Sequence, residues 1–244
     1  MDLEEYNQNF YQSRNNDTKF SAHTILSILL GNIPKVKSAV DIGCGVGTWL
    51  AALKENGVQE IQGFDGSWVD QNLLVIPKEN FKAAPLHIKL DLNKKYDLVI
   101  CLEVAEHLPI TFAKDFINSL TSFSDFVLFS AAIPNQGGNH HINEQWPEYW
   151  VNHFQKNDFV VFDFIRPKIW EETKIPFWYK QNILFFAKKN RLSEIKAKPT
   201  ENGTALRMIH PQLLEQQIAK SKVGVRGSFS NLLNAIKNYI SKKK

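Results

Sequence analysis

Residues 40–50 read Val40-Asp41-Ile42-Gly43-Cys44-Gly45-Val46-Gly47-Thr48-Trp49-Leu50. An apolar run (Ala39, Val40, Ile42) leads into three glycines at alternate positions, and a helix-competent segment, 48–56, follows. This order predicts a buried strand, a tight turn and a helix. Glycine permits backbone angles and a closeness of approach that a Cβ forbids. A ligand can therefore lie flat against the turn, facing the N–H groups that open the helix. The dinucleotide spacing G-x-G-x-x-G needs glycine at 43, 45 and 48. Position 48 is Thr48, so a pyrophosphate reading fails at its third glycine.

The spacing here is D-x-G-x-G-x-G, carried by Asp41, Gly43, Gly45 and Gly47. It resembles motif I of the class I S-adenosylmethionine-dependent methyltransferases. The resemblance implies S-adenosylmethionine over the turn, with Asp41 suited to its ammonium group. Asp65 stands at the end of the next apolar segment, within GFDGSW. Ligands of open α/β sheets bind outside the carboxyl ends of the strands, and the family places there an acid that holds the ribose hydroxyls. A turn aspartate before Gly66 is the alternative. Phe64 and Trp68 are near enough in sequence to flank an adenine. Asp91 and Leu92 follow the next strand, where related enzymes set an acid and a backbone N–H against the adenine ring. CLEVAEHLP, residues 101–109, resembles the segment after strand 4 in methyltransferases of quinones and other small molecules. That likeness implies Glu103 beside the cofactor, with Glu106 and His107 toward the substrate.

Glu103, Glu106 and His107 stand at i, i+3 and i+4, and on a helical turn they can converge on one divalent ion. A polar insertion, 134–145, adds His140 and His141. The small-RNA 3′-end 2′-O-methyltransferases and some quinone O-methyltransferases resemble this arrangement. That likeness implies Mg2+ held by Glu103, Glu106, His107 and His141, gripping substrate hydroxyl oxygens. Relatives with the same spacing and no metal keep a second reading open. In it His140 or His141 is the general base, with His107 next in line. Trp146, Tyr149 and Trp150 then wall the substrate pocket or pack on the sheet.

Outward from these motifs, helices are expected over 18–30, 48–56, 67–74, 110–120 and from 146 or 147 to 156. Strands are expected over 38–43, 60–64, 85–90, 96–102, 125–131, 159–165 and 182–188. Alternation through the fifth strand argues a doubly wound, Rossmann-like α/β sheet. Strands six and seven lack a clear helix between them, which matches the family's terminal hairpin with an antiparallel last strand. The expected layout is a methyltransferase domain over 1–190, with 1–36 as an N-terminal helical cap, and a basic helical tail over 191–244. The polar stretch 1–17 is either an arm over the cofactor or a surface helix.

The tail carries 11 Lys+Arg against 3 Asp+Glu, a net of +8, and leaves the body at −4. An acidic body does not suggest a nucleic-acid groove. Phe229, Leu232, Leu233, Ile236 and Ile240 recur at helical spacing in the tail, as expected of a helix that docks on the body, pairs in a homodimer or lies on an anionic membrane. No apolar run is long enough to span a bilayer, and the acidic start is not that of a signal peptide. Cys44 and Cys101 read as two buried thiols of a cytoplasmic protein. The composite expectation is O-methylation of a small polar metabolite or a glycan precursor such as a capsule unit. Its rivals are a metal-assisted RNA 2′-O-methyltransferase and a catalytically silent cofactor-binding subunit.

Overall fold

The computed structural model describes residues 8–86, 92, 94–201, 206–221, 227, 228, 230, 232 and 233. They divide into two units, Met1–Met208 and Ile209–Lys244.

The first unit is built on one seven-stranded sheet. Its strands are β1 (Ser38–Ile42), β2 (Glu60–Asp65), β3 (Phe81–Ala83), β4 (Leu98–Leu102), β5 (Phe126–Ser130), β6 (Phe159–Phe162) and β7 (Leu184–Lys188). They lie in the order β3-β2-β1-β4-β5-β7-β6. The first five are parallel, and β7 runs antiparallel to both β5 and β6. Its helices are α1 (Gln8–Leu30), α2 (Thr48–Glu55), α3 (Ala113–Phe123), α4 (Pro147–Gln155), α5 (Arg166–Ile169) and α6 (Phe177–Asn182).

Side-chain alternation splits the core into two layers. Along β4, Leu98, Ile100 and Leu102 join the layer that holds α1 and α2, through Ile25, Leu26, Leu29, Trp49, Leu50 and Leu53. Val99 and Cys101 point to the other layer, filled by Phe116, Ile117 and Leu120 of α3 and Trp150 and Phe154 of α4. Every residue of β4 is buried because both faces are covered, as a central parallel strand requires. Cys44 and Cys101 are both buried and free, and they belong to opposite layers. The α1 helix stops at Gly31, where Asn32 Nδ2 folds back onto the Ile28 carbonyl at 2.7 Å. It begins at Gln8 rather than at residue 18, so 8–17 belongs to that helix.

Several boundaries differ from expectation. The third described strand is Phe81–Ala83; of the expected 85–90, residues 85 and 86 are not in a strand. It is a short edge strand with only Phe81 buried, so it lacks the apolar run that marks the central strands. Residues 87–91 lie outside the described residues. The segment 67–74 forms turns rather than a helix. Two short helices, α5 and α6, separate β6 from β7. Each opens at a proline and is too brief to show a helical period. The helix expected from 110 begins as a 3-10 turn, Ile110–Phe112, and becomes α3 at Ala113.

Chain beyond residue 190 stays on this unit. The Lys196 N–H donates to the Asn32 carbonyl at 2.9 Å, and the Thr200 N–H to Val161 at 3.0 Å. Arg166, with no exposed surface, clamps the region. Its guanidinium donates to both carboxylate oxygens of Asp163, at 2.8 and 2.6 Å, and to the carbonyls of Gln181 and Leu206, both at 2.9 Å. The first unit therefore runs past the expected edge at 190, to Met208.

In the second unit, α7 (Pro211–Ser221) starts with the Leu213 and Leu214 N–H groups donating to the His210 carbonyl at 2.9 and 3.2 Å. Leu232 and Leu233 are helical and exposed, while Phe229, Ile236 and Ile240 lie outside the described residues. No helix among the described residues is long and apolar enough to cross a membrane.

Candidate active site

Strands β1, β2, β4 and β5 are parallel, so the loops that leave their carboxyl ends share one sheet edge. The strand order reverses direction between β1 and β4, the place where open α/β sheets bind ligands. Those four loops carry the glycine turn, Asp65, the Glu103–His107 segment and the 134–145 insertion.

The glycine turn needs its glycines. Gly43, Gly45 and Gly47 have φ of 88°, 52° and 89°. A Cβ on Gly43 would lie 2.2 Å from Val104 Cγ2, and one on Gly47 would lie 2.7 Å from Ile76 Cγ1. The N–H groups of Gly43 and Cys44 donate to the Phe64 carbonyl at 2.7 and 3.1 Å. Asp65 completes the join from β2. Its Oδ2 accepts the Gly45 N–H at 2.7 Å and its Oδ1 accepts the Gly66 N–H at 2.6 Å. Burial raises the Asp65 pKa, and those two backbone donors hold the rise back. Asp41, buried in β1, is raised well above the carboxylate range by desolvation and then by Asp65. Two buried carboxyls thus sit near enough to the turn and to each other to interact. The Trp68 ring lies over Gly66 so closely that a Cβ there would come within 2.1 Å of it. Leu92 is half-buried against the layer of α3 and α4. Asp91 lies outside the described residues.

Glu103 follows β4 with φ of 54°. Its N–H donates to the Ser130 carbonyl at 3.0 Å and to Ser130 Oγ at 3.1 Å. Its carboxylate accepts Gln136 Nε2 at 3.0 Å and Asn182 Nδ2 at 3.1 Å. Gln136 Oε1 in turn accepts from Gln181 Nε2 at 3.1 Å and Asn182 Nδ2 at 2.9 Å. This buried amide network joins the β4 loop, the insertion and the end of α6. Desolvation raises the Glu103 pKa, and the Asn182, Ser130 and Gln136 donors oppose it.

One 3-10 turn later the surroundings change. Glu106 is wholly buried, and neither carboxylate oxygen has a hydrogen-bond partner. Desolvation, then Glu103, raises its pKa well above 4.5, and the nearby N–H groups of Glu106 and Ala132 temper the shift. The backbone carbonyl of Glu106 accepts the N–H groups of Ile142 and Asn143, each at 3.0 Å, which stitches the insertion to the β4 loop. His107 Nδ1 is buried and unpartnered. Burial, then His141, lowers the His107 pKa to about 4, and a ring hydrogen bond to the His140 carbonyl opposes the drop. The His107 and His141 rings meet edge-to-face, 4.9 Å apart at 89°. His141 Nδ1 lies 3.0 Å from Glu144 Oε1.

Glu106, His107 and His141 each offer a ligand atom, all within 4.8 Å of one another. Glu103 stands outside this trio, its carboxylate engaged by Gln136 and Asn182. His140 is exposed with φ of 57° and contributes its carbonyl to His107. Trp150 is buried against Phe129, on the sheet, whereas Trp146 lies under the Arg207 guanidinium at 5.1 Å. Glu144, Gln136 and Asn182 carry no motif.

A family model described as a methyltransferase domain matches residues 13–163, more than half of the chain. The chain belongs to that family. With the fold and the glycine turn, this makes it a class I S-adenosylmethionine-dependent methyltransferase. Solved structures show the same fold. DesVI of Streptomyces venezuelae superposes with a TM-score of 0.58 at 13% identity, over 77% of this chain and 99% of that one. An O-methyltransferase family protein of Burkholderia thailandensis gives 0.56 at 11%, over 74% of this chain and 58% of that one. Magnesium protoporphyrin IX methyltransferase (ChlM) of Synechocystis PCC 6803, with bound SAH, gives 0.51 at 22%, over 70% and 84%. No curated protein matches the chain.

Proposed function

We propose that the enzyme O-methylates a small polar metabolite or a glycan precursor, with His141 as general base. The observation that carries this reading is the His141–Glu144 contact of 3.0 Å beside the unpartnered Glu106 carboxyl. The residues at the sheet edge fit the cofactor. Gly43, Gly45 and Gly47 provide a turn without side chains, Asp65 suits the ribose and Trp68 and Leu92 suit the adenine. Asp41 and Glu103 suit the ammonium group. When bound, S-adenosylmethionine supplies a methyl on a sulfonium, and transfer of that methyl to oxygen leaves a neutral thioether.

The chain must align the acceptor hydroxyl, exclude water and remove one proton. His141 Nε2 is the site for that proton, because Nδ1 is committed to Glu144. His107 is a poor base, since its pKa of about 4 leaves little affinity for a proton. Exposed His140 serves through its carbonyl. A neutral, protonated Glu106 can both donate to and accept from an acceptor hydroxyl, as its unpartnered oxygens invite. The polar insertion that supplies these groups favours a hydrophilic acceptor.

A second reading rests on the trio within 4.8 Å. Two imidazoles and one carboxylate suit a borderline divalent ion such as Zn2+ or Fe2+ better than Mg2+, which prefers oxygen ligands. Glu106, His107 and His141 would hold it, and it would lower the pKa of a coordinated hydroxyl.

The test is the fate of a labelled methyl group. The enzyme and labelled S-adenosylmethionine are incubated with source-cell extract split into small-molecule, glycan and RNA fractions. Label in the first two supports the main reading. Label in RNA, abolished by chelator, moves the assignment to the metal-assisted rival. No label with cofactor bound leaves the silent subunit.

A further inference from the structure

We propose that Glu144 is the positioning residue that fixes the tautomer and plane of His141, with Gly138 as the seat of the ring. The proposal rests on His141 as the base and deepens that reading. Glu144 Oε1 accepts the Gly137 N–H at 2.8 Å and faces His141 Nδ1 at 3.0 Å. Glu144 Oε2 accepts the Asn135 N–H at 2.7 Å. Both oxygens are thus pinned by backbone donors from the opposite arm of the insertion. A carboxylate held in this way is an acceptor only. The ring nitrogen that faces it must carry the hydrogen, so in the neutral ring Nδ1 is protonated and Nε2 holds the lone pair. The same logic orients histidines elsewhere, where the bond at one nitrogen sets the chemistry of the other.

The far end of the ring is equally constrained. A Cβ on Gly138 would lie 2.3 Å from Nε2 and 2.5 Å from Cε1. Only glycine leaves the Nε2 edge unobstructed. His107 closes the third side at 4.9 Å. The side chains of His141 and Glu144 are 12% and 18% exposed, so water competes little for the contact. Glu103, Glu106, His107 and His140 are the other titratable groups around the ring.

The experiment uses the full chain labelled with 15N-histidine and long-range 1H–15N spectra at pH 8. The chain has 7 histidines, and the His141 signals are assigned by their loss in His141→Gln. The expected wild-type pattern is the Nδ1–H tautomer. Glu144→Gln keeps one acceptor oxygen for two backbone donors, so the Gly137 N–H and the Asn135 N–H cannot both be served, and with the carboxylate gone His141 is expected to shift toward Nε2–H. The same variant should slow methyl transfer from labelled S-adenosylmethionine to the acceptor-bearing fraction by about 10- to 100-fold. Its cofactor affinity should stay within about twofold, and Glu144→Asp should recover part of the rate. Gly138→Ala is expected to give the same loss with the tautomer unchanged. An Nε2–H tautomer in the wild type, or an unchanged tautomer and rate in Glu144→Gln, overturns the proposal. Undiminished transfer in His141→Gln overturns the base reading instead, and the wild-type spectrum still decides the Glu144 contact.

Discussion

Replacing Glu106 with glutamine isolates the energetic consequence of burying that carboxyl. The side chain has no exposed surface, and neither oxygen has a hydrogen-bond partner. Desolvation, then Glu103, then Glu144 push its pKa well above 4.5. The folded state therefore keeps a proton that the unfolded chain releases once the pH passes the ordinary glutamate value. With the folded pKa raised, the contribution to stability is full below that value and is lost as pH climbs toward the folded pKa. The loss proceeds at about 1.4 kcal/mol per pH unit. Glutamine has nearly the same shape and no proton to lose. The stability of Glu106→Gln relative to wild type should therefore be constant in acid. Above about pH 4.5 it should grow by about 1.4 kcal/mol per unit until the folded carboxyl ionises. For a chain of this size each kcal/mol moves the Tm by about 2–4 °C. The two melting curves should thus separate by about 3–6 °C per pH unit. The assay is thermal and urea unfolding from pH 4 to 8, in chelator and without cofactor. Asp41 and Asp65 are present in both proteins, so their titrations cancel in the difference, whereas Glu103 titrates together with Glu106 and the gap reports that pair. A gap that stays flat with pH would refute the reasoning, as would a wild type that gains on the variant. Either result would mean that Glu106 is ionised and partnered in the fold.

Arg166→Leu strips Asp163 and the carbonyls of Gln181 and Leu206 of a shared buried donor. It should cost about 3–5 kcal/mol by urea unfolding, as removal of one partner of a buried pair does. A loss under about 1 kcal/mol would show that water replaces the guanidinium. Gly43→Ala forces a Cβ into Val104 at 2.2 Å with φ at 88°. It should weaken S-adenosylmethionine binding, read by calorimetric titration, by more than about tenfold through the displaced turn. Gly57→Ala is the control, because its φ is 86° with nothing within 4 Å. It should bind cofactor normally and lose only about 1–2 kcal/mol of stability.

What was legible in the sequence was what local pattern determines. The central strands announced themselves because burial on both faces makes continuous apolar runs, as in Leu98–Leu102. The position of Asp65 at the carboxyl end of β2 was legible because an acid that ends an apolar run before a glycine marks a strand end; its bond to Gly45 spans 20 residues across one strand pair. Glu106 and His107 were legible as neighbours on one turn, and His141 as part of a histidine pair in a polar insertion. The edge strand Phe81–Ala83 was missed because one buried residue leaves no alternation to read. The two short helices between β6 and β7 were invisible because four and six residues are too few for a helical period. The amide network on Glu103 could not be read at all. Asn182 reaches Glu103 across 79 residues, and only the assembled sheet brings them together. Glu144 was hidden for a different reason. Its main partners are backbone N–H groups, which no side-chain motif records.

The most direct test of the account is the rate of methyl transfer to the labelled acceptor fraction by wild type and His141→Gln, each with and without excess chelator. The account predicts a methyl ether product, a wild-type rate unaffected by chelator, and a fall of about 100-fold or more in His141→Gln with cofactor affinity intact. A wild-type rate abolished by chelator and restored by an added divalent ion would contradict it and make His141 a metal ligand instead of the base. Full activity in His141→Gln would contradict it outright.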